Sequence, residues 1–141
     1  MTPEERRVGR LRRLERVRAI AKRQLAAETA EAESVLSQLR MLTEKTRVLA
    51  EEYAARGDAL DGYTLIQSTR FAAELCHIVN SSGAEANTAK ERADRKMAEL
   101  AAAERRRAAV EQRLDLERRT IAKRKETLAG GARKRIGTEL E

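Results

Sequence analysis

From Leu11 onward, the apolar side chains of this sequence return at steps of three and four residues for six heptads. The positions are Leu11, Leu14, Arg18, Ala21, Leu25, Glu28, Ala32, Val35, Leu39, Leu42, Thr46, Leu49 and Tyr53, and ten of these 13 are apolar. A stripe of this period and length predicts a coiled-coil seam, because a repeat near 3.5 residues keeps one helix face against a partner. Further apolar residues at Val8, Val17, Ile20 and Leu36 widen the stripe on one side. Ahead of it, Thr2, Pro3 and Glu5 read as an N-cap, a proline at the first helical position and a capping glutamate.

The pattern stops at Arg56-Gly57-Asp58-Ala59-Leu60-Asp61-Gly62-Tyr63, the strongest turn cluster in the interior of the chain. Thr64 is the expected cap of a second helix. A second seam then runs through Ala72, Leu75, Val79, Ser82, Ala86, Ala89, Ala93, Lys96 and Leu100. It continues through Ala103, Arg107, Val110, Leu114, Glu117, Ile121 and Arg124 to Leu128. Asn80-Ser81-Ser82-Gly83 weakens this helix locally, and the helix is expected to continue through it. Gly130-Gly131 ends the pattern, so residues 130–141 are expected to form a flexible, disordered tail.

Two seams joined by a short turn predict an all-α fold, a long two-helix antiparallel coiled-coil hairpin over residues 1–129. Helix 1 covers about 4–56, the turn 57–63 and helix 2 about 64–129. Facing residues then have numbers adding to about 120, which sets Glu28 opposite Arg92. Helix 2 should overhang the start of helix 1 by a few turns.

Composition supports this and excludes the alternatives. Ala, Arg, Glu, Leu and Lys supply 89 of 141 residues, an excess that accompanies long helices. The aromatics are Tyr53, Tyr63 and Phe71 alone, and 25 apolar positions are Ala, so a thick core is excluded. Strand-rich folds fail on the shortage of β-branched and aromatic residues. No apolar run approaches the roughly 18–20 residues of a membrane span, and no apolar segment behind the N-terminus reads as a secretory signal. One cysteine, Cys76, fits a reducing compartment such as the cytosol.

Chemistry is sparse. His77 is the only histidine, and its neighbour Cys76 points about 100° away on a helix, so neither a metal site nor a catalytic set is expected. No glycine spacing suits a phosphate loop. The expectation is a protein that is not an enzyme and carries no cofactor or metal.

Charge is more telling. Residues 4–23 carry nine basic and three acidic side chains and residues 104–135 twelve and five, whereas residues 24–103 carry nine and thirteen. A hairpin brings the two basic stretches together. Arg6, Arg7, Arg10, Arg13, Arg118, Arg119 and Lys123 are the candidate contacts of that basic end, with an acidic protein surface or a phosphate backbone as partner. Near the turn, Phe71, Leu75 and Ile78 form an apolar stripe displaced from the seam, with Gln38, Leu39, Met41, Leu42 and Leu49 across from it. This is a candidate partner surface. Nucleic-acid binding and a plain scaffolding role remain alternatives.

The chain resembles the FliJ family of flagellar type III export proteins. The resemblance rests on Leu11, Leu14, Val17 and Arg18, on Gln38-Leu39-Arg40-Met41-Leu42, on the Gly/Asp turn near residue 60, and on Phe71 with Leu75. It covers about residues 4–129. It implies a stalk that binds a hexameric export ATPase, a membrane export gate and export chaperones, with no nucleic acid as partner. It further implies a cytoplasmic protein lying peripherally at the inner-membrane export apparatus. Gln38, Leu42, Leu49, Phe71, Leu75 and Ile78 would then form the gate-binding face, and the basic end the ATPase-binding tip. Where the family carries aromatics in helix 1, this sequence has Lys45 and Leu49.

Overall fold

The computed structural model describes residues 2–55 and 61–139. Among these lie two helices, α1 (Pro3–Ala54) and α2 (Gly62–Glu139), and no strand. They pack against each other in antiparallel fashion, as contacts such as Glu15 with Arg107 and Glu28 with Lys96 establish. Most of the expected turn, Gly57 to Leu60, lies outside the described residues. By packing, the chain divides into a terminal unit (residues 1–25 and 100–141) and an inner unit (26–99).

Both helix starts are capped by side chains. The Thr2 hydroxyl accepts from the Glu5 N–H at 3.2 Å, and the Glu5 carboxylate accepts from the Thr2 N–H at 2.9 Å, a closed capping box. That backbone bond holds the Glu5 carboxyl below its usual range. At α2 the cap is Asp61, whose carboxylate accepts from the Thr64 N–H at 2.7 Å. Thr64 therefore sits inside the first turn instead of capping it, because a short carboxylate reaches the N–H three residues on better than a residue already in the helix.

The seam of α2 follows the sequence pattern from Ala72 through Ile121, every position being buried or half-buried. Arg124 and Leu128, which continue the pattern, are exposed. In α1 the seam has a different phase. It steps Leu11, Glu15, Arg18, Lys22, Leu25, Thr29, Ala32, Leu36, Leu39, Thr43, Thr46, Ala50 and Tyr53. Every second expected position is thus displaced by one residue, and Leu14, Val35, Leu42 and Leu49 are 39–50% exposed. Polar pairing explains the choice. The α2 seam holds Ser82 and Arg107, and the expected phase would set Leu42 and Leu14 against them, leaving these buried and half-buried polar groups short of partners.

The observed phase supplies those partners. In the inner unit the Thr43 and Ser82 hydroxyls lie 2.8 Å apart, and the Thr29 hydroxyl donates to the Lys96 carbonyl at 3.2 Å. Lys96 Nζ reaches Glu28 at 3.0 Å, so Glu28 pairs one turn further along α2 than the expected Arg92. The offset follows from side-chain direction. Each helical side chain leans toward its own N-terminus, so in an antiparallel pair the contacting residues have numbers adding to more than the backbone level suggests. No described buried side-chain N or O atom lacks a hydrogen-bond partner.

The core is thin. In the inner unit Ala32, Leu36, Ala86 and Ala93 cluster with Leu39 and Ala89 beside them. In the terminal unit the buried apolar residues are Val8, Ala103 and Leu114. Ser82 is buried and α2 is continuous across Asn80–Gly83.

α2 also continues to Glu139, where the sequence suggested a disordered tail from residue 130. Two glycines cost about 1 kcal/mol each, which the flanking Ala, Arg and Lys offset as good helix formers, and no proline intervenes. Residues 125–135 are nonetheless exposed, since α1 begins at Pro3 and Glu4 already pairs with Arg124.

Candidate partner surfaces

In the inner unit the residues just outside the seam of each helix form a flank. On α1 these are Val35, Leu42 and Leu49, and on α2 Phe71 and Ile78, each seven residues apart within its helix. Lys96 shows that the two flanks adjoin, because its ammonium lies near both Glu28 and Glu99 (3.0 and 3.5 Å), which continue the same two rows. Hydrogen bonding to Glu28 raises the Lys96 pKa above its usual value. Toward Tyr53 the flank is apolar. The Tyr53 and Phe71 rings meet edge to face, 4.7 Å apart at 76°. A concavity of about 380 Å³ beside them is lined by Thr64, Gln67, Ser68, Arg70 and Glu74 as well as both rings.

Of the six residues expected on this face, five are at the surface. Leu42, Leu49, Phe71 and Ile78 are 39–50% exposed, and Gln38 is exposed. Leu75 is not a surface residue. At 6% exposed it belongs to the seam, because it is three residues on from Ala72 and four before Val79. Val35, absent from the expected set, extends the flank. Its seven-residue spacing from Leu42 is the signal in the sequence that would have identified it.

The terminal unit is built differently. Arg6, Arg7, Arg10, Arg13, Arg118, Arg119 and Lys123 are all exposed. Several basic groups at seam positions meet carboxylates. Lys22 meets Glu104 at 2.7 Å, Arg107 meets Glu104, Glu111 and Glu15 at 2.8, 3.0 and 3.9 Å, and Arg124 pairs with Glu4. Arg107 and then Lys22 hold the Glu104 carboxyl down at about 2. The unit carries 21 basic and ten acidic residues by sequence, +11, against nine and thirteen, −4, in the inner unit.

Between α1 and α2 in the terminal unit run two adjoining concavities of about 430 and 390 Å³ that share Arg12 and Arg118. Leu114 lines the first and Val8, Gly9 and Ile121 the second. Arg12 and Arg16, absent from the expected tip residues, stand in this groove. They were hidden by the same phase difference that displaced the α1 seam.

His77 and Cys76 are exposed neighbours on α2. Among the described residues no group of three His, Cys, Asp or Glu side chains is placed to hold a metal ion. Among the described residues no helix is long and apolar enough to cross a membrane. No family model, no curated protein and no solved structure matches the chain.

Proposed function

We propose that this chain is a non-enzymatic stalk or coupling component of a type III protein export apparatus. Its terminal unit binds the hexameric export ATPase, and the apolar flank of its inner unit meets the export gate or an export chaperone. The observation that carries the reading is the charge of the terminal unit, +11, presented on a helical pair by exposed arginines. Guanidinium groups on a stiff backbone suit an acidic protein surface, where bidentate carboxylate contacts add specificity to long-range attraction. The exposed flank of Leu42, Leu49, Phe71 and Ile78 supports a second partner elsewhere on the chain. Nucleic acid is the other polyanion that such charge attracts, but the terminal unit contains no aromatic residue on which bases could stack.

The experiment is to add the protein to the purified export ATPase and follow hexamer fraction and turnover. Both should rise, and charge reversal at Arg10, Arg13, Arg118 and Arg119 should abolish the rise. Unchanged stimulation by that variant refutes the assignment of the tip. Phe71→Ala should lose gate binding while helicity by circular dichroism stays intact; equal loss of both would make Phe71 a core residue and remove the second surface.

A further inference from the structure

The groove of the terminal unit is more than a generic basic surface: it runs along the edge of the seam between α1 and α2. Val8 and Leu114, both buried in the seam, close the bottom of the groove, half-buried Ile121 supplies its accessible apolar surface, and Gly9 leaves it open: a Cβ built there meets nothing within 4 Å. Its rim carries Arg12, Arg16 and Arg118, none of which has an ion-pair partner among the described residues. The carboxylates along the same groove are mostly engaged. Glu5 closes the capping box, and Glu15 and Glu111 hold Arg107, which leaves Asp115. An apolar trough edged by uncompensated guanidinium groups is thus set between two helices.

From Glu5 to Arg16 the trough spans about 16 Å, three turns of helix. We infer that this groove is a docking site for a partner's amphipathic helix, with an apolar face in the trough and glutamate or aspartate along its edges. A helix lies between two others as ridges in a groove, whereas a bilayer is flat and meets only outward-facing positions. A phosphate backbone has no use for the apolar floor. The inference goes beyond the export reading, since it holds whichever protein supplies the helix.

The test uses the full chain and a fluorescent synthetic peptide of about 18 residues, with a Leu/Ala face flanked by Glu. Anisotropy is read at about 150 mM salt, where unspecific attraction is screened. Gly9→Leu fills the trough and improves helix propensity, so helicity should hold or rise while peptide affinity falls about tenfold or more. Arg12→Glu with Arg118→Glu should do the same. Arg105→Glu with Arg133→Glu makes the same charge change away from the groove, and should stay within about threefold of the wild type. A lysine-flanked version of the peptide should not bind. Equal affinity for the wild type and both groove variants overturns the inference, as does tight binding of the lysine-flanked peptide. If the groove variants instead weaken binding to duplex DNA or to phosphatidylglycerol vesicles and leave the peptide untouched, the groove reads phosphate and the inference fails.

Discussion

Leu75 and Ile78 stand three residues apart on α2, yet one is 6% and the other 46% exposed. That difference separates packing from recognition. Leu75→Ala removes a branched side chain from a seam of small residues and should destabilise the chain by about 2–3 kcal/mol, at the lower end for such truncations because the thin core can partly close. Ile78→Ala should cost under about 0.5 kcal/mol. Urea unfolding followed by circular dichroism distinguishes the two.

Glu104 offers a second check. Arg107 and Lys22 lower its pKa to about 2, so its contribution is present above the usual carboxylate value of about 4.5 and is lost as pH falls toward 2. Thermal melts should therefore show stability declining across that window, and Glu104→Gln should flatten part of the decline while lowering stability at neutral pH. The group is partly exposed, so salt should weaken the effect.

At the scale of the element, the two helices were unequally legible. The α2 stripe was readable through Ile121 because its flanking positions are mostly polar or charged, and only one phase buries its apolar residues. In α1 two rival stripes lie one residue apart. The richer one, with Leu14, Val35, Leu42 and Leu49, is not the seam. Hydrophobic spacing records where apolar side chains recur, but the hydroxyls of Thr29 and Thr43 and the ion pairs of Lys22 and Glu15 depend on α2, which spacing within α1 cannot show. The candidate flank was legible from α2, where Phe71 and Ile78 stand one position off the stripe, although its leucine row on α1 reads from spacing alone as seam. The Arg12–Arg118 groove was not, because it exists only once the two helices are aligned.

The caps and the C-terminal turns give predictions of their own. Asp61→Ala should lower the melting temperature, and Thr64→Ala, whose hydroxyl is not the cap, should leave it nearly unchanged. Gly130→Ala with Gly131→Ala should strengthen the exposed last turns of α2, since nothing lies within 4 Å of either added Cβ. Hydrogen exchange should slow across residues 125–139 and stay constant in the inner unit.

At the scale of the whole molecule, the net +7 is the difference between a terminal unit at +11 and an inner unit at −4. Binding to an acidic partner through the terminal unit should therefore weaken steeply as salt rises from about 0.05 to 0.5 M, mainly through the association rate. A partner held by the apolar flank should be nearly indifferent to the same change. Two partners on one chain, one salt-sensitive and one salt-indifferent, would show that the two surfaces act independently.

Among the described residues no large side chain is fully buried, and most of the buried positions are Ala, Thr or Ser. Unfolding such a chain releases little apolar surface into water, so its heat-capacity increment should fall below the usual 12–15 cal/mol/K or so per residue. Its stability curve should be shallow, with little loss on cooling. A calorimeter would see a broad, low endotherm, the thermal signature of two helices joined by hydroxyls and ion pairs more than by oil.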